Sequence, residues 1–173
     1  MGIGELTERG LSAVTDFEAF AAEEGKRLVR LAFLLSGDDE DARDIVQEAL
    51  ARAYASWDRV SAADNPTAYV RRIVVNTGRS WWRRHRLYEV PSPEVAAEHG
   101  LAGFSAEEVA DAVTVWQMCL ALPRHQQVAV ILRFYEELSY AEIAHLTDCT
   151  EATARSRVFR GLEALRMRMG EEE

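Results

Sequence analysis

The chain has 173 residues, enough for one domain or two small ones. Hydrophobic residues make up 48%, so a packed core is expected and global disorder is not. The formal net charge is −9, from 20 Lys+Arg against 29 Asp+Glu, and no apolar run approaches the roughly 20 residues of a membrane span. The first fifteen residues lack a basic start followed by an apolar block, so no secretory signal is expected. Cys119 and Cys149 are too few for a disulfide framework and match no zinc spacing, so a reducing cytoplasm is expected.

The charge is segregated. Residues 65–86 carry Arg71, Arg72, Arg79, Arg83, Arg84 and Arg86 with no acid. Residues 150–169 carry five Arg against Glu151 and Glu163. Two basic islands therefore stand in an acidic chain. Each suits a polyanion, or is simply a solvated helix face.

The pattern predicts an all-α protein, since no stretch alternates with period two. Thr15-Asp16-Phe17-Glu18 has the form of a capping box and predicts a first helix from near Asp16. Residues 1–15 are read as a tail. Phe17, Phe20, Leu28, Leu31 and Leu35 recur at helical spacing until Ser36-Gly37. A second helix is predicted from about Asp38 to Trp57. Ala42, Ile45, Val46, Ala49, Ala53 and Trp57 form its buried stripe, and Asp44, Gln47, Glu48 and Arg52 lie opposite. Residues 58–64 read as a loop. Asn65 as N-cap and Pro66 at the first position start a third helix, running to about Arg86. Val70, Ile73, Val74, Thr77 and Trp81 are its apolar side. Arg72, Asn76, Arg79 and Arg83 share a polar face.

Pro91, Pro93, Gly100 and Gly103 mark residues 87–104 as an acidic linker. Helices resume at Ser105 with a second capping box, whose stripe is Val109, Val113, Trp116 and Leu120. Pro123 opens the next helix, with Val128, Ile131, Leu132 and Tyr135 inward. Ser139-Tyr140-Ala141-Glu142 is a third box. Thr147-Asp148-Cys149 reads as a tight turn, and Thr150 caps a final helix to about Met169. Val158, Leu162, Leu165 and Met169 are expected inward, and Arg155, Ser156, Phe159 and Arg160 outward.

Residues 139–168 thus have the shape of a helix-turn-helix. Its second helix fits the major groove, where Arg155, Ser156 and Arg160 would meet bases or phosphates and Phe159 a thymine methyl. The alternative for Phe159 is to fold back into the core. The helix of residues 65–86 is a second candidate: Arg for phosphates, Asn76 for a base edge, and an aromatic ring for an unpaired base, although Trp81 reads better as core. His85, His99, His125 and His145 show no metal spacing, and no nucleophile–base order or phosphate loop occurs. No catalysis, metal, cofactor or small-molecule substrate is expected.

Five segments in order carry a family resemblance. They are Asp44-Ile45-Val46-Gln47-Glu48-Ala49-Leu50, then Ala68 to Thr77 with its Arg-rich tail, Leu122 to Val128, Leu138 to Ala144, and Thr153 to Arg160. Together they resemble a bacterial sigma factor of the extracytoplasmic-function group, of the actinobacterial SigE type, over about residues 16–169. The resemblance implies two small helical domains, residues 16–86 and 105–170, that direct RNA polymerase to promoters and start transcription. Asp44, Gln47 and Glu48 would dock on the clamp helices of the polymerase largest subunit, and the polymerase flap would be a further contact. The 58–66 loop would hold a flipped base of the minus-ten element. Asn65, Arg72, Asn76, Arg79, Arg83 and Arg84 would bind that element. Arg155, Ser156, Arg157, Phe159 and Arg160 would read the minus-thirty-five element. An anti-sigma factor is a common partner in the family, and membrane insertion is not expected. The alternative is a stand-alone dimeric helix-turn-helix repressor or activator.

Two places depart from the family pattern. Glu151-Ala152-Thr153-Ala154 stands where members often carry Gly-Thr-Val. A carboxylate there suits a helix N-terminus but is unfavourable beside phosphates. Gly161 replaces the commoner Ala, at a cost of about 1 kcal/mol in helix propensity.

Overall fold

The computed structural model describes the backbone of residues 3–84, 105, 107, 114, 116–119 and 122–171. Side-chain environments are described for residues 13–81, for the same isolated positions, and for 122–168. The expected linker, most of the Ser105 helix, Arg86 and the side chains of Trp82, Arg83, Arg84 and Met169 lie outside the described residues. All regular structure among the described residues is helical, as the pattern predicted. The chain divides into two compact units, Met1–Glu89 and Val90–Glu173.

In the first unit, α1 spans Ile3–Ser36, α2 Asp39–Tyr54, α3 Trp57–Ser61 and α4 Pro66–Arg84. The expected start at Asp16 is corrected, because α1 runs through Thr15 from Ile3. Once a helix is nucleated, each added residue costs little, and the proline-free upstream residues continue it. Gly37 ends α1 in the left-handed region, with φ 82°, and its N–H donates to the Phe33 carbonyl at 2.7 Å. Asp38 then caps α2, its carboxylate accepting from the Asp41 N–H at 3.0 Å.

The predicted α2 stripe is buried in full. It packs against α1 and α4 over Leu28, Leu31, Leu35, Val70 and Val74. The helix itself stops at Tyr54, and the expected loop is corrected in part, since residues 57–61 are helical. Trp57 and Val60, at i and i+3, are both buried, and that burial holds the extra turn in place. Phe17 and Phe20 pack on Trp57 with ring centroids 5.2 Å away. Asn65 caps α4 as predicted, its Oδ1 accepting from the Ala68 N–H at 2.9 Å.

In the second unit, α5 spans Arg124–Phe134, α6 Tyr140–Leu146 and α7 Glu151–Glu171. Residues 116–119 are also helical and bury Trp116 and Cys119. α7 packs on α5 and α6, burying its Ala154 and Val158, while α5 buries Val128, Ile131 and Leu132 and α6 buries Ile143. Leu162 and Leu165 are only half-buried.

Candidate nucleic-acid interface

The helix-turn-helix is assembled from local rules. Ser139 Oγ accepts from the Glu142 N–H at 3.2 Å, and the Glu142 carboxylate accepts from the Ser139 N–H at 2.7 Å. That reciprocal pair fixes where α6 begins. Thr147 Oγ1 donates to the Ile143 carbonyl at 2.7 Å as α6 ends. Asp148 turns the chain with φ 49°, a conformation that Asp tolerates better than most residues. Thr150 Oγ1 accepts from the Thr153 N–H at 3.2 Å and opens α7.

These caps aim α7. Ala154 and Val158 face the core, so Arg155, Phe159 and Arg160 face solvent, and Ser156 and Arg157 are half-buried. Phe159 is 58% exposed, so it does not fold into the core. Beside this face a polar groove of about 530 Å³ is lined by His125, Ala152, Thr153, Ser156, Arg157 and Arg160. The face thus offers guanidinium donors, a hydroxyl and an aromatic edge along one helix, the chemistry that duplex base edges and phosphates require.

Three residues at this face were not singled out as binders from the sequence. His125 reaches the groove from the first turn of α5. Glu151 Oε1 lies 3.1 Å from Arg155 Nη2. Tyr140, the first residue of α6, carries the Arg155 guanidinium 4.9 Å from its ring centroid and that of Arg133 at 5.2 Å. The Glu151–Arg155 pair was legible as an i, i+4 spacing. Tyr140 and His125 come from other helices, and no local pattern reveals them.

The basic face of α4 is built differently. Arg72, Asn76 and Arg79 lie on one row, as predicted, and all are half-buried. Arg72 and Arg79 are also engaged within the protein. Arg71 is buried, so part of the island serves the fold. Arg83 and Arg84 continue the helix. Asn65 is exposed, but its carbonyl oxygen is already used as the cap. Arg59 of α3 lies 5.8 Å from the Tyr69 ring, linking α3 to α4.

On α2, Asp44 and Gln47 are exposed one turn apart. Glu48 is half-buried and ion-paired with Arg52. Asp44 leaves this strip with an exposed carboxylate, which suits a basic partner group.

Burial pushes the Arg124 guanidinium down to about 10, which leaves it charged at neutral pH, and Arg124 Nη1 donates to Gln127 Oε1 at 3.0 Å. Among the described residues no group of His, Cys, Asp and Glu is placed to hold a metal ion. Nor is any helix there long and apolar enough to cross a membrane.

Comparison with known proteins gives a consistent result. Residues 20–88 match sigma-70 region 2, and residues 112–165 match sigma-70 region 4. The chain is 33% identical over 156 residues to an RNA polymerase sigma-E factor of Streptomyces avermitilis, covering 88% of this chain and 84% of that protein. It is 32% identical over 139 residues to the ECF RNA polymerase sigma-E factor of Escherichia coli, covering 72% of each. Among solved structures, the sigma factor RpoE of Bartonella quintana, crystallised with the anti-sigma factor NepR, has a similar fold. Its TM-score is 0.68 at 24% identity, over 91% of this chain and 99% of that one.

Proposed function

This chain belongs to the sigma-70 family, in its extracytoplasmic-function group, and we propose that it gives core RNA polymerase its choice of promoter by two separate contacts. The observation that carries the reading is the solvent-facing row of α7, with Arg155, Phe159 and Arg160, within the segment that matches sigma-70 region 4. This row, with Ser156 and Arg157, reads the duplex minus-thirty-five element. Asn65, Arg72, Asn76, Arg79, Arg83 and Arg84 bind the minus-ten element, where an unpaired base is captured beside the α3–α4 turn. Asp44, Gln47 and Glu48 dock on the polymerase clamp helices.

The division of labour has a physical basis. Strand opening costs energy, and capture of a flipped base offsets a few kcal/mol of it. The protein's net charge of −9 opposes tight binding to DNA by the free chain. Polymerase brings both units to the promoter at high effective concentration, so neither needs strong affinity alone. The protein performs no chemistry itself; it acts in the cytoplasm, where polymerase and DNA meet. An anti-sigma factor would silence it by covering these faces. A stand-alone repressor would use α7 but leave the region 2 match and the acidic strip of α2 without a role.

Run-off transcription tests the reading. Purified core polymerase is given genomic fragments with and without the protein. Discrete new transcripts are expected only with it. Sequence-specific duplex binding by the isolated protein, unchanged by polymerase and without transcripts, would refute the reading in favour of a repressor.

A further inference from the structure

A carboxylate at the head of a DNA-reading helix needs an explanation. Glu151 is the first residue of α7. Residues 151, 155 and 159 stand four apart, so Glu151 lies on the same strip as Arg155 and Phe159. Its side chain is 53% exposed and that of Arg155 is 63% exposed, so the pair points outward. An exposed pair of this kind adds little stability. Near phosphates an acid is repelled unless it meets a donor. In the major groove the base donors are the amino groups of cytosine and adenine.

The spacing fits either pair, since adenine N6 and thymine O4 also stand about 3 Å apart, and the groups beside the pair select between them. In a C·G pair, cytosine N4 donates to guanine O6, so donor and acceptor stand about 3 Å apart. Glu151 Oε1 and Arg155 Nη2 present an acceptor and a donor 3.1 Å apart. The two pairs match with roles reversed. Beside O6, guanine N7 supplies a second acceptor for the guanidinium fork. An A·T pair fits worse. There the carboxylate on adenine N6 would lie next to the N7 acceptor, and the fork on thymine O4 would meet the methyl group.

The guanidinium is also held in place. Arg155 stacks on Tyr140, whose ring also meets Arg133. Arg133 is itself anchored by donating to the Leu138 carbonyl at 2.9 Å.

We infer that Glu151 and Arg155 together read one C·G base pair of the upstream promoter element, with Glu151 accepting from cytosine N4 and Arg155 donating to guanine O6 and N7. Tyr140 is a positioning residue for the guanidinium. The inference rests on the promoter reading above and names a specificity within it.

The test uses the full chain with core polymerase. Promoters active in run-off transcription are randomised across the upstream element, and the transcripts are sequenced. Wild type is expected to prefer C·G at one position by about five- to a hundred-fold. Glu151→Ala should flatten that position alone and leave the others unchanged. Tyr140→Ala should weaken the same preference, and Tyr140→Phe should restore it. If Glu151→Ala changes output evenly on all templates, or leaves every preference intact, the inference is overturned while the sigma-factor reading stands. If no template is transcribed above the level of core polymerase alone, both fall together.

Discussion

Gly161 lies inside α7, where glycine costs about 1 kcal/mol relative to alanine. On helix propensity alone, Gly161→Ala would stabilise the protein. The packing says otherwise. A Cβ at this position would lie 2.6 Å from Val130 Cγ2 on α5. Leu122 Cδ1 at 3.5 Å and Gln126 Cβ at 3.6 Å are ordinary contacts, so Val130 alone decides the outcome. Val130 is 6% exposed and β-branched on a helix, so its methyl has no easy alternative rotamer. Overpacking of this kind costs about 1–3 kcal/mol. Set against the propensity gain, Gly161→Ala should destabilise the unit by up to about 2 kcal/mol. In a Val130→Ala background the clash is gone, and the same substitution should stabilise by about 1 kcal/mol. The assay is urea unfolding of all four variants of the full chain, with amide exchange of α5 and α7 assigning the transition to this unit. Equal stabilisation by Gly161→Ala in both backgrounds would refute the close-approach argument.

Other perturbations address the proposed contacts and the core. Arg160→Ala should cost about 1–3 kcal/mol at one base position in competition between promoter variants bound by the polymerase complex. Equal loss on every sequence would show that Arg160 touches only phosphate. Asp44→Arg reverses an exposed charge on α2 and should weaken retention on core polymerase by on the order of tenfold. Unchanged co-purification would remove the docking role. Burial pushes the Cys119 thiol up from 9.0 to about 11. At pH 8 only about one in a thousand of these thiols is ionised, so iodoacetamide should modify half-buried Cys149 first, and the reverse order would contradict the burial. Between pH 9 and 11 the unfolded chain loses the Cys119 proton before the folded one does, so this group's contribution to stability falls across that window.

How much was legible follows from the range of each interaction. Asn65, Ser139 and Thr150 were identifiable as caps because each bonds a backbone N–H within three residues. The α2 stripe was legible because periodicity reports burial directly. Thr15 fits the same capping pattern as Ser139 and yet sits inside a helix, because no proline before it interrupts the backbone hydrogen bonds. The turn at Trp57–Ser61 was missed because it rests on burial of Trp57 and Val60 against other helices rather than on a run of its own. Gly161 read as a penalty because Val130, thirty-one residues away, is invisible to local propensity.

The two arginine rows looked equivalent as sequence, and the fold separates them. Arg72 and Arg79 are half-buried and each is engaged within the protein, so they are less free to move than exposed side chains. That suits holding phosphates of a single strand in fixed register, where position counts for more than identity. Arg155 and Arg160 are exposed, and among the described residues Arg155 is steadied by the Glu151 carboxylate and the Tyr140 ring. Exposed, lightly held guanidinium forks reach base edges at small desolvation cost, which suits discrimination. The acidic pattern has the same logic. Asp44 and Gln47 are exposed, as the proposed docking on a protein partner requires, whereas Glu151 is paired with Arg155 and in the proposed complex gains a base amino group as well. Net charge alone would have argued against nucleic acid. Its distribution over named faces reverses that conclusion.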